Sequence, residues 1–184
     1  MQQQESVKSS FWSRRKILFG VVAIIIVATI MYYGLFFLAV IFVAHPVRVE
    51  GYAMVPALKN GDKVFVKKRL GDLNRGDIVV HYYPLDTTKS YIKRIVGLPG
   101  ETLMIEDGKI LINGMQIEES YLPAEYQSVD SLPEPVKIPD SHYFVLGDNR
   151  RNSSDSRYWG TVPRDLIYGK YWFRYWEADD TDRR

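Results

Sequence analysis

The N-terminal part of the chain contains an uncharged apolar run over residues 17–44, which constrains the fold more than any other feature. At about 1.5 Å per residue, a helix of about 28 residues is longer than the roughly 30 Å hydrocarbon core of a bilayer. We therefore predict one transmembrane anchor. Residues 36–44 are rich in Phe, Val and Ile, so we expect the anchor to run there into the first strand of the following domain.

The charges on either side of this run predict its orientation. Lys8, Arg14, Arg15 and Lys16 precede it, whereas the flank that follows begins with His45 and Pro46. The positive-inside rule then places residues 1–16 in the cytoplasm and residues 45–184 outside it. A cleaved secretory signal is the alternative. The run exceeds the roughly 7–15 apolar residues of such a signal and no A-x-A site with small flanks follows, so we expect a retained, single-pass anchor.

The amino-acid composition limits the classes of function that this chain can have. The chain is 46% hydrophobic and 25% charged, which is typical of a globular domain, and its net charge of +2 is too small to indicate a nucleic-acid partner. The absence of Cys excludes thiol nucleophiles, Cys-ligated zinc and disulfides. His45, His81 and His142 lack the spacing of metal ligands. We predict neither a metal site nor a cofactor.

After Pro46 the pattern changes to short β-branched and aromatic runs separated by turns, which predicts a mostly β, antiparallel domain. The turn pairs Asp107-Gly108 and Asn113-Gly114 predict tight connections between strands. We expect a short helical turn at most within residues 162–170, and a long surface loop over residues 121–140, which contain four prolines. The predicted strands cover residues 62–68, 76–84, 90–100, 102–114, 142–149 and 169–176.

Lys93 and Arg94 are adjacent cations within an apolar strand, so strict alternation turns one of them toward the interior. Alternation places Lys93 on the face of Tyr91 and Ile95. Lys93 is then either a lysine that extends its ammonium to solvent from a sheet face, or a desolvated lysine with a lowered pKa. In the second case its neutral amine is a candidate general base, which requires a hydroxyl group beside it.

A second polar segment, "GDNRRNSSDSRYWG" at residues 147–160, has two interpretations. It is either a solvated loop or a functional one. In the functional interpretation Asp155 pairs with Arg94 or Arg157, and Ser153 or Ser156 provides a hydroxyl group that orients Lys93.

These segments, together with "VEGYAMVPAL", "GDKVFVKK", "GDIVV" and "GKYWFRYW", occur in an order that resembles the bacterial type I signal peptidases over about residues 36–176. The resemblance implies a β-rich catalytic domain docked on the outer face of the bacterial cytoplasmic membrane. It also implies a Ser-Lys dyad in place of a Ser-His-Asp triad. The implied partners are the lipid bilayer and the signal peptides of exported preproteins.

The resemblance also implies roles for individual residues. Lys93 would be the general base and Ser153 its hydrogen-bond partner, with an ion-pair framework formed by Arg94, Asp155 and Arg157. The backbone N–H of residue 53 would contribute to the oxyanion hole, without help from a side chain at Gly51. Small substrate residues would bind in shallow pockets lined by the predicted strand at residues 36–49 and by Met54, Pro56, Tyr91 and Ile92.

The nucleophile position of the family is occupied here by Ala53. A methyl group cannot attack a carbonyl, so the sequence predicts an inactive peptidase. The alanine is either an engineered Ser→Ala change or a natural loss. The alternative function is a non-catalytic, membrane-anchored pseudopeptidase that binds signal peptides or a partner peptidase.

Overall fold

The computed structural model describes residues 2–68, 70–127 and 130–179, and within the first helix it describes the side chains of residues 18–38 only. The chain divides into two compact units, residues 1–42 and residues 43–184. The first unit consists of helix α1 (Gln2–Val43). Its segment Leu18–Leu38 is long and apolar enough to cross a membrane, and none of it is buried within the protein.

The expectation that the first strand begins within residues 36–44 is wrong for residues 36–43 and holds only for Ala44. The helix continues to Val43, and strand β1 begins only at Ala44. The strand preference of Phe, Val and Ile depends on packing against neighbouring strands. A helix instead satisfies every backbone hydrogen bond within the segment, which an apolar stretch that enters lipid requires.

The second unit is mostly β with antiparallel strands, as the sequence predicts, and these strands form two sheets. The larger sheet has the strand order β1-β2-β11-β3-β4-β9-β10 and the smaller sheet the order β7-β6-β5-β8. Two four-residue helices, α2 (Ala124–Gln127) and α3 (Ser156–Trp159), and a 3-10 turn (Arg164–Leu166) complete the unit. The strands are β1 (Ala44–Arg48), β2 (Lys63–Lys67), β3 (Ile78–Tyr83), β4 (Asp86–Gly97), β5 (Thr102–Glu106), β6 (Lys109–Ile112), β7 (Met115–Gln116), β8 (Val136–Lys137), β9 (His142–Leu146), β10 (Val162–Pro163) and β11 (Ile167–Trp176).

The turn residues behave as their chemistry predicts. Asp107 and Gly108 connect β5 to β6 with φ values of 48° and 74°, the positive values that a two-residue hairpin of this kind requires. Asn113 and Gly114 connect β6 to β7 in the same way. The predicted long loop at residues 121–140 is only partly correct, because α2 and strand β8 lie within it and β8 pairs with β5.

The segment that contains Ala53 is anchored to the core on both sides. Val49, Met54 and Leu58 are buried in a cluster with residues of β2 and β3. The ends of the segment close on each other, because Val49 N–H donates to the Asp62 carbonyl and Gly61 N–H donates to the Val49 carbonyl, each at 2.8 Å. The chain therefore presents residues 50–53 from a closed loop on the sheet.

The Asp62 carboxylate ties this loop to the C-terminal strand. It is fully buried and accepts hydrogen bonds from Lys59 N–H, Ala178 N–H and Arg174 Nη1, each at 2.9 Å. Burial alone would raise the pKa of Asp62, but the two backbone donors and the Arg174 charge outweigh burial and lower it.

Replacing this carboxylate tests its structural contribution. Asp62→Asn removes the negative charge opposite Arg174 and turns an NH2 group toward backbone donors. We expect it to lower the free energy of unfolding by about 3 kcal/mol. Thermal unfolding of the full chain in detergent, followed by circular dichroism, measures the effect. The same change at the exposed Asp130 is the control, and equal melting temperatures for the two variants would contradict this account.

Candidate active site

A groove of about 390 Å³ passes over residue 53 in the second unit. Its walls come from the end of β1 and the segment after it, from β3 and β4, and from one side chain of β11. The lining residues are Val47, Arg48, Val49, Glu50, Gly51, Ala53, Met54, Val80, Thr88, Ser90, Tyr91, Ile92, Lys93 and Tyr168. The structure therefore brings Ala53 and Lys93 into one groove, although they are distant in sequence.

The turn at residue 53 is held by the loop at residues 147–155. The Ala53 carbonyl accepts the Asn149 N–H at 2.9 Å, and the Tyr52 carbonyl accepts Asn149 Nδ2 at 3.2 Å. Gly147 permits this approach, because a Cβ there would lie 2.6 Å from the Ala53 carbonyl oxygen and 2.2 Å from Ser153 Oγ. Within the described residues the Ala53 N–H has no acceptor, so it is available to a ligand in the groove.

Lys93 is a buried cation that lacks a carboxylate partner. Only 4% of its surface is exposed, and none of the ion pairs in the described part of the chain includes it. Its ammonium donates to the Ile92 carbonyl at 3.2 Å and lies 5.2 Å from the centre of the Tyr91 ring. Burial lowers the pKa of Lys93 to about 8, and the nearby Asp155 charge opposes this shift only in part.

His81 does not supply a competing charge. It is fully buried, and burial, with a smaller contribution from the Lys93 charge, lowers its pKa to about 4. At neutral pH its ring is therefore uncharged. Within the described residues there is also no group of three or more His, Cys, Asp or Glu side chains arranged to hold a metal ion.

The ion pairs differ in part from the predicted framework. Asp155 pairs with Arg157, with Nε at 2.8 Å from Oδ1 and Nη2 at 2.9 Å from Oδ2. Arg94 does not join them, because its guanidinium binds both carboxylate oxygens of Asp148 at 2.8 and 2.5 Å. Arg94 and Lys93 are both buried, at 7% and 4% exposure, whereas alternation alone requires only one of them to turn inward.

The predicted hydrogen bond between Ser153 and Lys93 is absent from the structure. Ser153 Oγ is buried without a hydrogen-bond partner among the described residues, and the Lys93 ammonium donates to the Ile92 carbonyl instead. Ser156, the other candidate, accepts the Val145 N–H at 3.0 Å and so stabilises the loop rather than the lysine. Ser153 remains the only one of the two hydroxyl groups that is not already engaged.

Three of the four individually named substrate-binding residues line the groove, and one does not. Met54, Tyr91 and Ile92 line the groove, but Pro56 does not. The reason is the turn after Ala53, in which Leu58 N–H donates to the Met54 carbonyl at 2.9 Å, so that the chain leaves the groove before Pro56.

Sequence reasoning missed several residues that build the site. Asp148, Asn149 and Arg150 were assigned only to a polar loop, and Glu119, which pairs with Arg150, was not singled out. The "GDNRR" sequence indicates that these side chains are polar and close together. It does not indicate their partners, since Glu119 lies 31 residues before Arg150 and no local spacing connects the two.

Comparison with known proteins gives concordant matches. A family model described as "Signal peptidase, peptidase S26" matches residues 19–176. Signal peptidase I of Leptolyngbya laminosa is 40% identical over 151 residues, which cover 75% of this chain and 71% of that protein. Signal peptidase I S of Bacillus subtilis is 43% identical over 127 residues, which cover 63% of this chain and 67% of that protein.

One solved structure is also similar. The crystal structure of a signal peptidase I from Enterococcus faecalis aligns with a TM-score of 0.46 and 33% sequence identity, covering 53% of this chain and 95% of that chain.

The burial of Lys93 predicts a pH-dependent stability. Below about pH 8 Lys93 is protonated in both the folded and the unfolded state, so burial of the cation opposes folding. As the pH rises toward 10.5, the folded state loses the proton before the unfolded state does, and the free-energy cost of burying the cation disappears. We therefore expect Lys93→Met to stabilise the fold at pH 7 by up to about 3 kcal/mol, and to raise the melting temperature by about 5 °C or more.

The melting temperatures of Lys93→Met and the unchanged chain should converge between pH 8 and 10.5. Lys109→Met, at an exposed position of β6, is the control and should show no such pH dependence. A Lys93→Met variant that is less stable than the unchanged chain at pH 7 would show that the cation is not desolvated.

Proposed function

Because the chain belongs to the signal peptidase family, peptidase S26, we propose that it is a type I signal peptidase that lacks its nucleophile. Its reaction would be endoproteolytic removal of signal peptides from exported preproteins by a Ser-Lys dyad. The observation that carries this proposal is the buried Lys93, which has no carboxylate partner among the residues that the structure describes, in the groove that contains Ala53.

The geometry suits a lysine general base. With a pKa of about 8, about a tenth of Lys93 is neutral at pH 7 and about half at pH 8, and the neutral amine accepts a proton. A serine at position 53 would transfer its hydroxyl proton to Lys93 Nζ as Oγ attacks the scissile carbonyl. The resulting oxyanion would accept the free N–H of residue 53. Lys93 would then return the proton to the departing amine, and water would hydrolyse the acyl-enzyme in the same manner.

Ala53 prevents the first step of this reaction, because it has no hydroxyl group to attack the carbonyl. Loss of the nucleophile alone costs a serine peptidase on the order of a million-fold in turnover. The hydroxyl of Ser153 does not replace it, because Ser153 belongs to the separate loop at residues 147–155 and its Oγ is buried next to Gly147. We therefore propose that the chain as it stands is inactive, while its base and its substrate groove are complete.

The sheet edges support binding of the substrate as an added strand. β1 is the outermost strand of the larger sheet, and β4 pairs with β9 only through residues 94–97. Among the described residues no strand pairs with β4 over residues 86–93 on that side, and the free edges of β1 and β4 both line the groove. An extended peptide can hydrogen-bond to such edges, with alternate side chains entering the groove. We propose small residues at the first and third positions before the cut.

The topology proposal rests on α1 and on the surface of the second unit. Basic residues precede the apolar segment Leu18–Leu38, so we propose a cytoplasmic N-terminus and an extracytoplasmic second unit in the bacterial cytoplasmic membrane. The surface of β11 has the aromatic and basic character typical of contact with a membrane interface, because Trp172, Tyr175 and Trp176 are exposed there beside Lys63 and Lys67.

Protease accessibility tests this orientation. Protease added outside intact spheroplasts should degrade the second unit, and full protection of that unit would refute the orientation.

A non-catalytic binder is the alternative function, and Ala53 is the observation that favours it. Replacing a hydroxyl by hydrogen removes little of the groove, so both proposals predict binding of a signal peptide. The two proposals differ in whether a serine at position 53 restores cleavage of the preprotein. A natural pseudopeptidase is expected to have lost other parts of the site as well.

Restoring the nucleophile distinguishes these two functions. We expect Ala53→Ser to cleave a preprotein with Ala at the first and third positions before the cut, and to exceed the unchanged chain by several orders of magnitude. Cleavage is measured by gel mobility and by sequencing of the new N-terminus. Ala57→Ser, the same change in the same segment but outside the groove lining, should stay inactive. Inactivity of Ala53→Ser would favour the binder, provided that it still binds the peptide.

The pH profile of the restored enzyme tests the role of Lys93 separately. Because the neutral amine is the reactive form, we expect kcat/KM to rise with pH and to reach half its maximum near pH 8. Lys93→Met in the same background should remove the activity. A rate that is constant from pH 6 to pH 9 would exclude Lys93 as the base.

A further inference from the structure

One residue, Asn149, holds the backbone on both sides of the nucleophile position through the carbonyls of Tyr52 and Ala53. Its neighbours Asp148 and Arg150 are both buried, at 0% and 2% exposure. The position of Asn149, and with it that of residue 53, therefore depends on what anchors these two neighbouring side chains.

Arg150 is anchored by Glu119. The Arg150 guanidinium binds both carboxylate oxygens of Glu119, with Nη1 at 2.9 Å from Oε2 and Nη2 next to Oε1. Its Nε also donates to the Gly147 carbonyl at 3.0 Å, which closes the start of the loop. Burial alone would lower the pKa of Arg150, but the bonds to Glu119 outweigh burial and raise it. The pair is thus a strong and geometrically specific contact.

Asp148 is anchored by Arg94, and Tyr121 connects this pair to the first. The Arg94 guanidinium binds Asp148 in a bidentate manner and stacks on the Tyr121 ring at 4.2 Å from its centre. The Tyr121 hydroxyl donates to Glu119 Oε1. Glu119 and Tyr121 together therefore contact Arg150 and Arg94, and the residues on either side of Asn149 are Arg150 itself and Asp148, the partner of Arg94.

Glu119 and Tyr121 come from outside the larger sheet. They lie between β7 and α2, in a segment that continues from the smaller sheet. Gln127 of α2 holds this segment, because its Nε2 donates to the Leu122 carbonyl at 2.7 Å and to the Glu119 carbonyl at 3.3 Å. Through these two side chains, the segment that follows the smaller sheet contacts Arg150 and Arg94.

We propose that Glu119 and Tyr121 are positioning residues of the catalytic centre, acting through Arg150 and Arg94 on Asn149 and so on residue 53. This inference rests on the proposed function. Neither residue is among those that line the groove. Their effect would be to keep the attacking oxygen and the N–H of residue 53 in register with the substrate carbonyl, where a misplacement of about 1 Å costs on the order of a hundred-fold in rate.

The first test does not depend on activity and uses the full chain with Ala53 in detergent. Amide hydrogen exchange at Asn149 reports whether its N–H still binds the Ala53 carbonyl. We expect Glu119→Gln to accelerate this exchange by about tenfold or more, because a neutral amide does not retain the bidentate contact with Arg150. The control Glu118→Gln, at the exposed neighbouring position, should leave it unchanged. Exchange in β5 reports global stability and should not change in either variant.

The second test uses the Ala53→Ser background. We expect Glu119→Gln to lower kcat by about tenfold or more with KM within about twofold, since positioning affects the reacting atoms more than substrate binding. Tyr121→Phe, which removes one hydroxyl and keeps the ring over Arg94, should lower kcat by a smaller factor. Glu118→Gln should change neither constant.

The outcomes separate the two proposals. Unchanged Asn149 exchange in Glu119→Gln, or equal effects of Glu118→Gln and Glu119→Gln, overturns the inference. If Glu119→Gln also accelerates exchange in β5, the whole fold is destabilised in that variant. The milder Tyr121→Phe then tests the inference by its effect on Asn149 exchange and on kcat. If Ala53→Ser is inactive but Asn149 exchange responds to Glu119→Gln alone, the positioning contact stands and the peptidase function fails.

Discussion

The site depends on the burial of one ammonium group, that of Lys93, for which the described part of the chain provides no carboxylate partner. A buried cation without a partner is unfavourable, and proteins usually avoid it by pairing or by exposure. Here the neighbouring buried arginines all have carboxylate partners: Asp148 for Arg94, Glu119 for Arg150 and Asp155 for Arg157. The unpaired lysine is therefore a specific feature of this site, and its lowered pKa is the property that a general base at neutral pH requires.

The three arginine pairs explain how the fold maintains this arrangement. Each acidic side chain near Lys93 is already engaged: Asp155 binds Arg157 and accepts the Gly147 N–H, and Asp148 binds Arg94. The carboxylates therefore hold the loop in place without forming a salt bridge to the lysine. The same loop fixes the backbone of Tyr52 and Ala53 through Asn149, so that one set of contacts determines both the geometry and the electrostatics of the groove.

Local sequence signals predicted much of this structure. Short β-branched and aromatic runs predicted the six main extended segments, and the Asp107-Gly108 pair predicted the hairpin between β5 and β6, because these depend on neighbouring residues. The burial of Lys93 was one of two interpretations that alternation left open. The pairing of Arg94 with Asp148, and of Arg150 with Glu119, was not predictable, because several acidic residues are available to each arginine and only the tertiary fold selects among them. The continuation of α1 to Val43 was missed for a related reason, since strand preference depends on context.

The most direct test of this account is a titration of the Lys93 side chain in the chain as it stands. The full chain with 13C-labelled lysine in detergent micelles gives the ε-carbon shift as a function of pH, and the Lys93→Met variant assigns the signal. The account predicts a midpoint near pH 8. A midpoint near the ordinary lysine value of about 10.5 would contradict it, because a solvated ammonium cannot serve as the base of a dyad at neutral pH.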